Sequence, residues 1–205
     1  MEAPVRVKIC GITTLEDALD AVAAGAAALG FNFHPASPRY VAPDVVAGIV
    51  PHLPPSVCTV GVFVNAPRAQ VAAVARSTGL QALQFHGNED PEFCRGWTQK
   101  TIKALRVRNA AVQQLAEAYT VDFILADAYV EGRFGGTGQR LCTAYLAGLD
   151  RRRLILAGGL TVETVTDAIR AVRPFAVDVA SGVERAPGRK DRELMRRFIA
   201  HAHAA

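Results

Sequence analysis

The sequence predicts a compact, single-domain (β/α)₈ TIM barrel over residues 1–205, and three observations carry that prediction. Short β-branched runs alternate with alanine-rich helical stretches along the whole chain. Each strand–helix unit takes roughly 25 residues, which demands parallel strands joined by right-handed crossovers. Eight such units favour a closed barrel over an open sheet. An open doubly wound sheet would carry a G-x-G-x-x-G loop after an early strand, and Gly11-Ile12-Thr13 stands there instead.

The elements follow in order. Strand 5–10 reads Val-Arg-Val-Lys-Ile-Cys and breaks at Gly11. Thr14 caps a helix over 15–24, its hydroxyl suited to an orphan amide of the first turn. Strand 28–33 leads to a helix over 44–51, with Asp44 at its start. After strand 58–64, Pro67 opens a helix over 68–78, because its fixed φ already suits a helix start. Strand 82–86 is followed by a short helix near 91–97. Strand 101–107 passes through a capping Asn109 into a helix over 110–119. Strand 123–127 precedes a second short helix near 141–149. Strand 154–157 leads through Thr161 into a helix over 162–172. Strand 176–180 and a helix over 190–203 complete the pattern.

Composition narrows the function classes. Half of the residues are hydrophobic, enough for a real core at this length. No apolar run of about eighteen residues exists, so no membrane span is expected. No secretory leader is expected at the N-terminus, and a cytoplasmic protein fits best. The four cysteines, Cys10, Cys58, Cys94 and Cys142, are scattered singly, without zinc or disulfide spacing. The net charge of +4 includes no basic stripe, so no nucleic-acid partner is expected.

In such barrels chemistry sits at the C-terminal ends of the strands. Lys8 and Cys10 share one strand face, and an ammonium beside a thiol favours thiolate, the form that acts as base or nucleophile. The plainer alternative is a packing cysteine beside a lysine paired to a structural acid. Asp127 ends the sixth strand after Phe-Ile-Leu-Ala, a setting expected to raise its pKa and keep it a usable acid. Across a barrel mouth, Cys10 and Asp127 could take and give a proton. Strands one and eight are neighbours in a closed barrel, so Lys8 and Asp178 are expected to pair inside it, where a lone charge would be costly. Arg39, after strand two, could grip a carboxylate in bidentate fashion. His86, at the end of strand four, reads as a hydrogen-bonded support beside the substrate. Glycine turns at Gly135-Gly136-Thr137-Gly138, Gly158-Gly159 and Ser181-Gly182 follow late strands and could cradle a phosphate on backbone N–H groups.

These pieces together resemble the phosphoribosylanthranilate isomerase family of tryptophan biosynthesis. The matching blocks run in order along nearly the whole chain. They include Lys8-Ile9-Cys10-Gly11-Ile12-Thr13, Ser37-Pro38-Arg39-Tyr40-Val41, Leu83-Gln84-Phe85-His86-Gly87 and Ala180-Ser181-Gly182-Val183-Glu184. The resemblance implies an Amadori rearrangement of N-(5-phosphoribosyl)anthranilate to 1-(2-carboxyphenylamino)-1-deoxyribulose 5-phosphate, with no metal or organic cofactor. By position it implies Asp127 as general acid on the ribose ring oxygen and Cys10 as general base on the C2 proton. Arg39 would hold the anthranilate carboxylate, with Lys8, His86 and Asp178 beside the substrate. Gly136, Gly158, Gly159, Ser181 and Gly182 would hold the phosphate. The chain departs from the family after Gly138, where Gln139-Arg140-Leu141-Cys142 replaces an aromatic–Asp–Trp segment.

Two rival readings stand beside this one. Another phosphosugar barrel enzyme would need more strand-end histidines, or more lysine and glutamate, than His34, His86, Lys8 and Lys103 supply. A barrel kept only as a binding or assembly module would not need both Cys10 and Asp127. The expected partner is a small phosphosugar, with no membrane association, and the protein is expected as a monomer or homodimer.

Overall fold

The computed structural model describes residues 4–127 and 143–205. Eight parallel strands close into a barrel in sequence order. They are β1 (Arg6–Cys10), β2 (Ala28–Asn32), β3 (Cys58–Phe63), β4 (Ala82–Phe85), β5 (Lys100–Arg106), β6 (Phe123–Asp127), β7 (Leu154–Ala157) and β8 (Ala176–Val179). β1 closes the ring on β8 with Lys8 opposite Asp178. The expected strands all form, five of them one residue shorter than the β-branched runs.

Helices α1 (Leu15–Ala24) and α3 (Arg68–Thr78) have the expected bounds, and the Thr14 hydroxyl accepts from the Asp17 amide at 3.1 Å. α2 (Pro43–Ile49) gives way to a 3₁₀ turn over Val50–His52, because Pro51 cannot donate to a continuing α-helix. α4 (Ala111–Glu117) is a shorter version of its expected span, with the Asn109 side chain accepting from the Ala111 amide. Four expectations need correction. Residues 91–97 form turns with no helix: Asp90 accepts from the Phe93 amide, and Phe93 and Trp97 pack on Phe85. The helix expected from 162 starts one turn later, as α5 (Val165–Val172). Thr161 and Thr164 hydrogen-bond to each other's turn first. Lys190 does not begin the final helix. It ends a two-stranded ribbon of β9 (Glu184–Ala186) and β10 (Arg189–Lys190), and Asp191 then caps α6 (Arg192–His203) by accepting from the Leu194 amide. The short helix expected near 141–149 is a 3₁₀ turn, Thr143–Leu146, with residues 141–142 outside the described residues.

Strand alternation sorts the side chains into two cores. Val60, Ala82, Ile102, Leu125, Ile155 and Ala176 pack in one cluster inside the barrel. Ile9, Leu29, Phe31, Leu83, Phe85 and Leu156 point outward, against Ala18, Val71, Ile169 and Phe198 of the helices. The N-terminal end of the barrel is plugged: Phe123 and Phe175 stack at 4.8 Å, with Arg6 4.5 Å over the Phe175 ring and Lys100 6.0 Å over Phe123. Polar groups accumulate at the opposite, C-terminal mouth.

Candidate active site

The inner face of β1 carries Lys8 and then Cys10 toward the mouth. Lys8 is 3% exposed and donates to Asp178 Oδ1 at 2.7 Å, so the pair expected across the β8–β1 seam is present. Lys8 and Cys10 share the inner face of β1, and the ammonium acts on the thiol electrostatically. β2 makes room for both through Gly30, which faces Cys10 in the strand register. A Cβ there would stand 2.8 Å from Cys10 Sγ and 3.1 Å from Lys8 Nζ. Gly30→Ala should therefore lower kcat/KM by about 10²-fold, the usual cost of a misplacement near 1 Å, while the protein still folds. Steady-state kinetics beside a melting curve checks this.

The electrostatics correct one expectation. Burial pushes the Cys10 thiol up, and the Asp178 carboxylate pushes the same way. Lys8 and Lys190 pull it down without prevailing. Lys8 does not bring the Cys10 thiol below its ordinary value, because burial and the Asp178 carboxylate outweigh it. Burial works against the Lys8 ammonium too, but Asp178 and Cys10 outweigh it, and Lys8 stays charged.

Asp127 ends β6, three strands around the ring from Cys10, with its side chain 22% exposed. Oδ2 lies 3.5 Å from His86 Nε2, so the setting holds a polar neighbour as well as the apolar strand below. His86 Nδ1 is 3.0 Å from Gln84 Nε2, whose amide proton it can accept. His86 is thus a supported side chain turned toward the acid candidate.

The loop after β4 is held from beneath by buried charge. Lys103 of β5 donates to Glu89 Oε2 and to the Gly87 carbonyl, each at 2.8 Å. Glu89 also accepts from the Asn65 and Gly87 amides. Burial raises the Glu89 carboxyl, but Lys103 and the amides outweigh it and hold it below its ordinary value. A carboxyl depressed in the folded state stabilises the fold above its unfolded pKa and loses that contribution as pH falls through the folded one. Glu184 behaves the same way, with Arg39 and Lys190 outweighing burial. The urea midpoint should therefore fall as pH drops below about 4.5, and Glu89→Gln should flatten that fall. Denaturation from pH 7 to 3 checks this.

The late turns lie where the strands end. The β7–β8 ladder stops at Leu156 opposite Val177, below both turns. Gly158 and Gly159 adopt φ of 100° and 70°, conformations that L side chains rarely reach. Ser181 and Gly182 lie in a 3₁₀ turn, Ser181–Val183, with Ser181 exposed. Gly136 and its neighbouring glycines lie outside the described residues. Among the described residues, no three His, Cys, Asp or Glu side chains converge as a metal site.

Arg39 sits at the mouth beside Gly11, with Nε and Nη2 donating to the two Glu184 carboxylate oxygens at 2.8 and 2.7 Å. Lys190 Nζ donates to Glu184 Oε1 at 2.8 Å and to the Ala180 carbonyl at 3.1 Å. Neither Glu184 nor Lys190 carries a local signal of this role. Only the short ribbon, itself invisible to hydrophobic periodicity, turns both toward the mouth.

Buried charge, a thiol, a carboxylate and glycine turns at one end of a closed barrel define a (β/α)₈-barrel acid–base enzyme. Comparison with known proteins narrows the class. A family profile described as N-(5'phosphoribosyl)anthranilate (PRA) isomerase matches residues 7–201. The chain is 49% identical over 196 residues to the N-(5'-phosphoribosyl)anthranilate isomerase of Pelobacter propionicus, covering 95% of this chain and 94% of that protein. The crystal structure of phosphoribosyl anthranilate isomerase from Thermotoga maritima matches with a TM-score of 0.90 and 44% identity, over 98% of this chain and 100% of that one. A further structure, of the isomerase in complex with reduced 1-(o-carboxyphenylamino)-1-deoxyribulose 5-phosphate, matches with a TM-score of 0.86 and 44% identity over the same shares. The chain belongs to the N-(5'-phosphoribosyl)anthranilate isomerase family, whose reaction is a step of tryptophan biosynthesis.

Proposed function

We propose that Cys10 and Asp127 carry the Amadori rearrangement of N-(5'-phosphoribosyl)anthranilate as base and acid. Asp127 gives a proton to the ribose ring oxygen as the C1–O bond breaks, leaving an open-chain iminium. Cys10, as thiolate, removes the C2 proton, and that electron pair forms the C1–C2 double bond of an enolamine. Proton transfer from the C2 hydroxyl to C1 completes the aminoketose. The thiol's raised pKa makes Cys10 a strong base that is sparsely ionised at neutral pH. Lys8 lies beside the position where negative charge develops on sulfur. His86, oriented by Gln84, lies 3.5 Å from the Asp127 carboxylate.

Arg39 is read as the clamp for the anthranilate carboxylate, and Gly136, Gly158, Gly159, Ser181 and Gly182 as the phosphate cradle. The positive φ at Gly158 and Gly159 supports the cradle by exposing backbone. A complex of a 44% identical isomerase with a reduced product analogue supports a phosphosugar ligand of this shape. A cytoplasmic setting, and a monomeric or homodimeric state, belong to the same reading. Among the described residues, no helix is long and apolar enough to cross a membrane.

The observation that carries the reading is the convergence of Cys10, the Lys8–Asp178 pair and Asp127 at one barrel mouth. The experiment is turnover of freshly prepared N-(5'-phosphoribosyl)anthranilate, followed by loss of its fluorescence. Turnover well above the spontaneous background is expected. A rate equal to that background overturns the proposal.

A further inference from the structure

The Arg39–Glu184–Lys190 cluster has a geometry that carriage of a carboxylate by Arg39 does not by itself explain. A guanidinium has five N–H donors and can meet a carboxylate along two faces. Glu184 occupies one, the side-on face made by Nε and Nη2. This leaves the end-on face, formed by one proton of Nη1 and the second proton of Nη2. Glu184 is itself held: its side chain is 4% exposed, and Lys190, with a fully buried side chain, bonds the same Oε1 that takes Arg39 Nε. The register of the ribbon sets Lys190 directly opposite Glu184, and Thr13 Oγ1 donates to the Gly188 carbonyl at 2.6 Å, tying the ribbon to the loop after β1. On its other side the Arg39 stem lies on Gly11, where an added Cβ would stand 2.6 Å from Arg39 Cδ. The guanidinium is thus held by a carboxylate, and its stem lies against Gly11. Two cations against one anion leave the cluster with a single positive charge beside Cys10.

Resting on the proposed isomerase reading, we infer that Glu184 is a specificity-determining positioning residue. It occupies the side-on face of Arg39 so that the end-on fork meets the aryl carboxylate of the substrate. Lys190 keeps Glu184 in place and supplies the charge that lets two carboxylates share one arginine. Without Glu184 the guanidinium would swing among rotamers, and discrimination for the carboxylate would fall while the phosphosugar contacts stayed intact.

Calorimetric titration tests this with two probes: the product analogue reduced 1-(o-carboxyphenylamino)-1-deoxyribulose 5-phosphate, and its phenylamino counterpart without the carboxylate. The wild type should prefer the carboxylated ligand by about 10- to 100-fold, the range for hydrogen bonds between charged groups. Arg39→Ala should abolish the preference. Glu184→Gln should reduce it about tenfold through the carboxylated ligand alone, leaving the Kd of the phenylamino ligand in place. Because Glu184→Gln leaves Lys190 buried beside a neutral amide, Glu184→Gln/Lys190→Met is titrated beside it and should show the same reduced preference. A full wild-type preference in both Glu184 variants, with Arg39→Ala losing it, overturns the positioning role. Equal binding of the two ligands by the wild type overturns the Arg39 clamp beneath it. Binding of neither ligand by the wild type overturns the isomerase reading on which both rest.

Discussion

Cys10→Ala and Asp127→Asn should each lower kcat by about 10²- to 10⁴-fold, the usual range for loss of a positioned acid or base. Cys10 and Asp127 are both partly exposed at the mouth, outside the packed hydrophobic clusters. Melting temperatures close to wild type should accompany the lost turnover. The pH profile separates the two roles. The wild-type kcat/KM should rise with pH into and beyond the ordinary thiol range near 8.5, because burial and Asp178 hold the Cys10 proton on. Cys10→Ala should abolish that limb along with most of the rate. Asp127→Asn should keep the limb at a lower ceiling, because the thiol base is still present. Stopped-flow or steady-state fluorescence from pH 6 to 10 reads both. A Cys10→Ala profile that keeps the wild-type limb would mean that another group is the base.

Breaking the Lys8–Asp178 pair should cost about 3–5 kcal/mol of stability in either single variant, Lys8→Met or Asp178→Leu, because each leaves an uncompensated charge inside the barrel. The double variant Lys8→Met/Asp178→Leu should be more stable than either single one, since removing both charges removes the desolvation penalty as well. Urea denaturation of the three proteins gives the cycle. Asp178→Asn makes a finer test at the thiol. Asp178 raises the Cys10 pKa by its own charge and also engages the Lys8 ammonium that would lower it. Neutralising Asp178 removes the first effect and frees the second, so both changes move the thiol downward. The midpoint of iodoacetamide alkylation of Cys10 should therefore shift to lower pH in Asp178→Asn. An unmoved midpoint would restrict Asp178 to packing.

Most of the barrel was legible because its signals are local. Strand runs such as Phe123–Asp127 and Leu154–Ala157, and helices such as Leu15–Ala24 behind Thr14, depend on periodicity and caps within a few residues. The Lys8–Asp178 pair was legible for a different reason: closure of the ring forces β1 beside β8, and two inward charges there can be tolerated only together. Local signals failed where short-range hydrogen bonding competed with helix. Asp90 and Phe93 settled into turns, Thr161 and Thr164 delayed α5 by a turn, and the Asp191 carboxylate fixed the start of α6 after Lys190 had already paired in the ribbon.

The sequence by itself determined the strand–helix alternation and its closure, together with the strand-end positions of Cys10, Asp127, His86 and Asp178. Those follow from side-chain periodicity and from the one topology that eight parallel units can close. Only the tertiary structure decided the balance of charge on Cys10 and the partner of Arg39. A thiol's protonation depends on the sum of burial, Asp178, Lys8 and Lys190, and these are brought together by folding from opposite ends of the chain. The Glu184 carboxylate reaches Arg39 across 145 positions of sequence, through a ribbon whose five residues carry no period of their own. Coulomb and hydrogen-bond energies depend on distances in space, and sequence spacing sets those distances only within a single element.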